Sequence, residues 1–403
     1  MLNKVMKGVP LTFSRGSVAY NNGVSVPANI PRFQTVDGKR GILIEEGTTN
    51  LHTSAMSTCS SIAGMTTYGT GTNLSVSNTV YKGDITTSWK VITQGNQIIE
   101  GIYAAPITVT SNQNYTKSIY ILAPNGAKMI LNVMEGDWSG QSNINFVGTG
   151  DWQRIQLSRM NTTSTIRFSV YTREVAQAIT FYVAMCQLEN KAYATSWTLG
   201  GTTRQPETLT LSNSIVNPNE GTIEIENYVN NYVLTCPTGT TTRLYMLTIP
   251  MDNNGYIIMR LGSYGGNRVF MVAFYDGNGV NQTHTLNIPY THSLNVGMHK
   301  FAVKWKLNGT TLNSTTYIDG IAVSTGSVDG WNPQMKNKLN ITLGTDTSGA
   351  YLNSMFRNIC FSKKGDRTDT EIAGRANTNT YPIDNQVTAF ALLENDIRGV
   401  ASV

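Results

Sequence analysis

From Leu51 to Leu199, apolar and polar residues alternate in short runs broken by Gly, Asn and Pro. A period of two admits little besides half-buried β-strands, because successive side chains of a strand face opposite sides of a sheet. The clearest runs are Trp89–Thr93, Tyr115–Leu122, Lys128–Val133, Thr165–Val170 and Ile179–Met185. The rhythm returns after residue 220 in Tyr256–Leu261, Val269–Tyr275, Lys300–Trp305, Thr316–Val323 and Asn340–Gly344. Strands this short and this evenly spaced predict all-β sandwiches. Charged residues make up only 14% of the chain, against about a quarter in ordinary soluble proteins. Thr, Asn, Ser and Gly replace them, a profile that favours strands and turns over helices. With 403 residues, the chain exceeds the roughly 250–300 at which single cores stop growing, so at least two domains are expected.

The net charge of +5 is spread thinly. No Lys/Arg cluster of the kind that follows a phosphate backbone is present, which argues against nucleic-acid binding. No apolar segment of about 20 residues occurs and no apolar h-region follows Met1, so neither a membrane span nor a signal peptide is expected. The four cysteines, Cys59, Cys186, Cys236 and Cys360, are far apart and lack metal-binding spacing, so free thiols are expected, as in a protein assembled in a reducing compartment. His52, His284, His292 and His299 form no zinc pattern.

The first fifty residues carry three motifs in order: Thr12-Phe13-Ser14-Arg15, then Ile30-Pro31-Arg32-Phe33, then Gly41-Ile42-Leu43-Ile44-Glu45-Glu46-Gly47-Thr48-Thr49-Asn50-Leu51. Their prolines fix φ and their glycines punctuate turns, which excludes a helix and predicts an extended arm over residues 1–50. Six basic residues face three acids there, a bias most simply read as solvated charge. The motif order resembles a leader of bacteriophage and prophage tail structural proteins. That resemblance implies a virion component, assembled in the host cytoplasm and acting outside it, with other virion proteins as partners and a homo-oligomeric state.

Two further resemblances divide the rest. "YTKSIYILAPNGAKMILNV", "GTGDWQRIQLS" and "ITFYVAMCQLENKAYATSW" resemble carbohydrate-binding jelly-roll modules, implying such a domain over residues 51–200. "GMHKFAVKWKLN", "STTYIDGIAV", "LNITLGTD" and "FRNICFSKK" resemble the concanavalin A/laminin-G-like sandwich, implying one over residues 220–368. The polar Gly/Thr/Pro stretch 201–219 reads as the linker between two tandem sandwiches. An acidic first turn with a later glycine predicts a short helix early in 369–403, and Gln386–Leu393 a further strand whose partner the sequence does not show.

Sugar recognition requires an accessible aromatic face for a pyranose, with amides and carboxylates for its hydroxyls. Trp138, within Glu135-Gly136-Asp137-Trp138-Ser139-Gly140, is flanked by turn residues and is the preferred platform of the first sandwich, with Asp137 beside it. Tyr264 in Gly262–Gly266 and Trp331 in Asp329–Pro333 are the counterparts in the second. Each would serve equally to plug the end of a sandwich. Trp89, Trp152 and Trp305 lie in regular alternation and read as core. Asp252, Asp276 and Asp346 offer hard oxygen ligands for calcium, the one cofactor considered, yet the same residues are what tight turns use.

Glu224 and Glu226 alternate on one strand as the catalytic acids of laminarinase-type glucanases do, but Tyr228 and Asn230 occupy the positions that would continue the acidic face. They are expected in water on an outer face, and no catalytic residue is assigned. The function these features imply is non-catalytic attachment to bacterial surface polysaccharide. A purely structural or decorating virion subunit and a glycan-degrading enzyme are the alternatives.

Overall fold

The protein is described here from a computed structural model, which defines residues 11–236, 242–251, 254–287, 294–333, 340–345, 351–362, 367–378 and 387–392. Strands dominate, their ladders are antiparallel, and the chain forms two compact units. The first comprises residues 17–28 and 47–205, and the second residues up to 16, 29–46 and 206 onward. The all-β sandwich architecture is therefore as expected. The chain enters each unit more than once, so neither is a single continuous stretch of sequence. No helix among the described residues is long and apolar enough to cross a membrane.

In the first unit, a six-stranded sheet runs in the order Gln141–Val147, Lys128–Glu135, Thr165–Thr172, Gly101–Ala104, Met65–Tyr68, with Ile107–Thr108 also on Thr165–Thr172. A five-stranded sheet runs Trp152–Asn161, Gln113–Leu122, Thr180–Glu189, Ser88–Ile92, Asn73–Ser77. The alternation sends Met129, Leu131 and Val133 of one strand and Ile166, Phe168 and Val170 of its neighbour into a shared core with Trp89, Ile121, Phe181 and Val183. Trp89 is buried as expected, its indole N–H donating to the Ser61 carbonyl at 2.8 Å. Trp152 is only half-buried and packs at the margin with Tyr120 and Trp197, a correction to its assignment as core. It lies at the start of its strand, opposite Leu122, where the ladder ends.

The second unit pairs a seven-stranded sheet with an eight-stranded one. Their inward residues, among them Ile223, Ile225, Leu247, Met259, Phe270, Phe301, Val303 and Trp305, form one continuous core. Outside it, the helix Asp369–Thr378 starts with a capping box, in which the Glu371 carboxylate accepts from the Thr368 N–H (2.7 Å) and the Thr368 hydroxyl accepts from the Glu371 N–H (3.2 Å). The strand Val387–Leu392 pairs with Ser354–Ser362, which supplies the partner missing from the sequence.

Residues 12–50 are no arm, and 201–219 is no plain linker. Thr12–Ser14 pairs with Thr208–Ser212, and Lys39–Ile44 pairs with both Arg32–Val36 and Ser354–Ser362. Ala19–Asn21 and Val24–Val26 form a hairpin around Asn22-Gly23, both at positive φ (50° and 91°) as a tight hairpin turn requires. The prolines do impose extended backbone, but extended backbone beside a sheet edge becomes a strand, because its N–H and C=O groups find partners there.

Of the leader's charged residues, Arg15, Arg32 and Glu45 are buried rather than solvated, whereas Glu46 and Lys39 are half-buried and Arg40 is exposed. Arg15 donates to Glu207 at 2.7 Å, and Arg32 bridges Glu207 and Glu45, each at 2.7 Å. The Glu45 N–H adds a bond to Glu207 at 3.0 Å. In the first unit the adjoining Thr48 and Asn50 are also buried. The Thr48 hydroxyl donates to Glu189 (2.7 Å), and the Asn50 amide donates to the carbonyls of Cys186 (3.0 Å) and Thr198 (2.8 Å) while accepting from the N–H groups of His52 and Leu188.

Removing one member of the Arg15/Arg32/Glu45/Glu207 cluster leaves its partners charged and desolvated. Arg32→Met is expected to cost about 3–5 kcal/mol of stability, read as a lowered denaturation midpoint in urea. An unchanged midpoint would mean that the buried ions contribute nothing net.

Candidate glycan-binding face

The outer face of the six-stranded sheet carries the residues that alternation excludes from the core. Register sets them in rows. Tyr68, Gly101, Tyr171, Ile130 and Asn145 lie across one row, and Thr66, Tyr103, Ser169, Asn132 and Asn143 across the next. A Cβ on Gly101 would meet the Val170 carbonyl at 2.1 Å and the Tyr171 Cα at 2.5 Å, so only glycine fits between the two tyrosines. Across that gap the rings of Tyr68 and Tyr171 lie 6.4 Å apart and inclined by 27°, and Tyr103 meets Tyr68 edge-on at 6.4 Å.

Trp138 extends this aromatic strip. Its ring lies edge-on to Tyr103 at 5.1 Å, and the Arg167 guanidinium sits 4.4 Å over it. The residue is 49% exposed at φ 69°, which points the indole out of a turn closed by its own N–H to the Glu135 carbonyl at 3.0 Å. Glu135 anchors the turn, accepting from Arg159 at 2.7 Å, the Thr162 hydroxyl at 2.6 Å and the Ser139 hydroxyl at 3.1 Å. Arg167 also donates to the Gly136 carbonyl. Asp137 is exposed and accepts from the Ser139 hydroxyl (2.6 Å) and N–H (3.0 Å), bonds that lower its pKa.

The floor is polar and incompletely satisfied. The Asn132 amide donates to the Tyr171 hydroxyl at 2.7 Å, while Asn132 Oδ1 and Ser169 Oγ are buried without a partner among the described residues. Buried polar atoms are ordinarily paired. Both of these floor atoms are closed to solvent, so the groups this face offers a ligand are the exposed rings of Tyr68 and Trp138 and the exposed Asp137 carboxylate, which suit the carbon face and the hydroxyls of a sugar.

The structure thus brings Trp138 and Asp137 to one face with Tyr68, Tyr103, Tyr171, Asn132, Ser169 and Arg167, none of which the sequence singled out. Tyr264 is 52% exposed at the Gly265-Gly266 hairpin tip of the second unit and is not part of this strip. Trp331 is corrected from platform to plug. Its ring is 3% exposed, donates to the Pro218 carbonyl at 3.1 Å and packs edge-on against Phe274 at 6.1 Å. Of the calcium candidates, Asp252 and Asp346 lie outside the described residues. Asp276 is buried and serves its own turn, accepting from the N–H groups of Asn278 (2.8 Å) and Val280 (3.1 Å). Among the described residues no group of three or more His, Cys, Asp or Glu could hold a metal.

Glu224 and Glu226 face away from the core as expected, but they are buried rather than in water. Lys300 pairs with Glu224 at 2.7 Å, while Asn358 donates to Glu226 at 2.7 Å and Arg357 lies 3.5 Å from it. Their ion and hydrogen-bond partners come from the two flanking strands Gly297–Asn308 and Ser354–Ser362, and the C-terminal helix packs on the neighbouring strand. Ile372 of that helix packs on Tyr317 and Ala302, and Ala302 is the register neighbour of Glu224.

No protein-family model and no curated protein sequence matches the chain. Among solved structures, similarity extends to the CBM22-1 xylan-binding domain of Xyn10C from Paenibacillus barcinonensis, with 17% identity, TM-score 0.29, and coverage of 37% of this chain and 99% of that one. The tandem CBM22-1–CBM22-2 domain of the same enzyme covers 78% of this chain and 99% of its own, at 10% identity and TM-score 0.29. The enzymatically active domain of tailspike protein 2 from bacteriophage CBA120 covers 47% of this chain and 30% of its own, at 13% identity and TM-score 0.34.

Hydrogen bonds, led by the one from the Thr162 hydroxyl, hold the Glu135 carboxyl down to about 2. Its folded pKa is therefore below the unfolded value of about 4.3, and the anchoring is fully present above that value and lost as pH falls through about 2. The Trp138 indole NMR signal is expected to stay constant from pH 7 to about 4 and to move only toward pH 2, and Glu135→Gln to displace it already at pH 7. A shift centred near pH 4 in the unmutated protein would show that Glu135 does not hold the turn.

Proposed function

We propose that the protein is a non-catalytic glycan-binding component of a phage virion, engaging bacterial surface polysaccharide through the Tyr68–Tyr103–Tyr171–Trp138 face. The observation that carries this reading is the accessible aromatic strip, led by Trp138 and Tyr68, beside the exposed Asp137 carboxylate. That combination suits a sugar, which is apolar on its ring faces and hydroxylated around its edge. The virion assignment rests on the resemblance of the leader motifs to those of phage tail proteins; in the fold their Arg15, Arg32, Glu45, Thr48 and Asn50 are buried structural residues. The absence of catalysis is supported by the state of Glu224 and Glu226. A glycosidase acid needs access to the glycosidic oxygen, whereas these carboxylates are enclosed and paired with cations.

Binding is tested with oligosaccharides released from bacterial envelopes, titrated into the full chain. Trp138→Ala and Tyr103→Ala are each expected to weaken binding by roughly 1–3 kcal/mol, about 5- to 150-fold, with the melting temperature unchanged. Trp331→Ala, by contrast, is expected to leave binding intact and cost about 3–5 kcal/mol of stability. Undiminished affinity in both surface variants would reject the face, and oligosaccharide release by the unmutated protein would reject the non-catalytic reading.

A further inference from the structure

The core of the first unit holds a second polar group that the glycan face does not use. Cys59 and Cys186 are both fully buried, with sulfurs 3.7 Å apart, although 127 positions separate them in sequence. Cys59 ends the short helix Ser54–Thr58 in the left-handed conformation (φ 57°, ψ 30°). Cys186 follows Met185, another positive-φ residue (53°), where the ladder to Gln113–Leu122 changes register. The Cys186 carbonyl is fixed by the Asn50 amide at 3.0 Å and the Trp197 indole at 3.2 Å. Both thiols therefore sit at backbone irregularities that hold them face to face.

A buried amine stands beside them. Lys117 makes no ion pair with a carboxylate among the described residues. Its Nζ lies 2.7 Å from His52 Nε2 and 3.6 Å from the Phe168 ring centroid. Burial pulls the Lys117 pKa down to about 8, against the opposing pull of the two cysteines. His52, driven well below its ordinary value by burial and by Lys117, is a neutral acceptor. Burial also drives the Cys59 thiol well above its ordinary value. For Cys186, burial acts in the same direction but is outweighed by the hydrogen bond with Cys59 and by Lys117, so its thiol is lowered. A cavity of about 10 Å³, the size of a single water, lies among His52, Met56, Lys117, Arg167 and Phe168 beside exposed Ala105. Neither cysteine lines it, so an oxidant meets the sulfurs through local opening of the unit.

We propose that Cys59 and Cys186 are a reactive thiol pair that a hydroperoxide converts into a disulfide, cross-linking the first unit. With hydrogen peroxide as oxidant, the Cys186 thiolate attacks one peroxide oxygen, the O–O bond breaks, and Cys186 sulfenic acid and hydroxide result. The Cys59 sulfur then attacks the Cys186 sulfur and displaces the second hydroxide, while the Cys59 proton and the proton first lost from Cys186 convert the two hydroxides to water. Two thiols are oxidised by two electrons and one peroxide is reduced to two waters. Lys117 is a positioning residue that favours the Cys186 thiolate. The bond would close a long loop and so restrict the unfolded chain strongly. A chain assembled with free thiols in a reducing compartment would thereby be locked once it meets an oxidising one.

The full chain is exposed to hydrogen peroxide under native conditions, denatured, alkylated and mapped by mass spectrometry without reduction. The expected result is a Cys59–Cys186 cross-linked peptide lighter by two hydrogens, with Cys236 and Cys360 alkylated. Its melting temperature should rise on the order of 10 °C and fall back with dithiothreitol. Lys117→Met is expected to slow cross-linking about ten-fold without changing which cysteines pair. Recovery of Cys59 and Cys186 as alkylated thiols, or as sulfinic acids without a cross-link, would overturn the proposal, as would cross-linking at an unchanged rate in Lys117→Met for the role given to the lysine.

Discussion

The second unit is organised around one buried carboxylate. Glu207, fully enclosed, accepts from Arg15, from Arg32 and from the Glu45 N–H. These groups come from three places in the chain, the ends of Thr12–Ser14 and Lys39–Ile44 and the start of Arg32–Val36, and Glu207 itself immediately precedes Thr208–Ser212. Desolvating four charged side chains is costly, and the cost is offset only where geometry is good and the remaining lone pairs are satisfied. Both Glu207 oxygens are used here, and Arg32 donates from two of its nitrogens. Such a network tolerates few alternative registers, because a one-residue slip of any participating strand would strand a charge in the core.

This requirement explains the leader motifs physically. Arg15, Arg32 and Glu45 complete the cluster in one unit, and Thr48 and Asn50 complete hydrogen bonds around Glu189 and the Cys186–Leu188 backbone in the other. The intervening hairpin, Ala19–Val26, docks within the first unit through the Ser25 N–H to Asp84 at 2.7 Å and Tyr20 against Trp197 at 4.6 Å. A segment that reads as an arm is thus a set of strands and polar fasteners for two separate cores.

Alternation made the sandwich class and most core strands legible, because period-two patterning is a local property. Long-range pairing was not legible. Arg32 and Glu207 are 175 positions apart, and an isolated arginine in a polar segment gives no sign that it will be desolvated. The candidate face failed to show itself for the same reason: Tyr68, Tyr103 and Tyr171 each occupy one outward position of a different strand, and only register aligns them. Trp138 and Trp331 show the limit of local reasoning most directly, since both are flanked by turn residues. The N–H groups of Gly330 and Trp331 both donate to the Thr310 carbonyl, at 2.9 and 3.2 Å, and the Trp331 ring lies in the core. Trp138 takes positive φ and projects from its turn. Glu224 and Glu226 were placed on the correct face but taken to be wet, because the partners that enclose them, Lys300, Arg357 and Asn358, lie on strands encoded more than 70 residues later.

The most direct test of the account is NMR of the full chain with isotopically labelled tyrosine and tryptophan rings, titrated with oligosaccharides from bacterial envelopes. The account predicts chemical-shift changes concentrated on Tyr68, Tyr103, Trp138 and Tyr171, with the buried rings of Trp89, Trp305 and Trp331 unmoved. Shifts centred on Tyr264, or saturating binding that leaves the four rings of the first unit untouched, would contradict it.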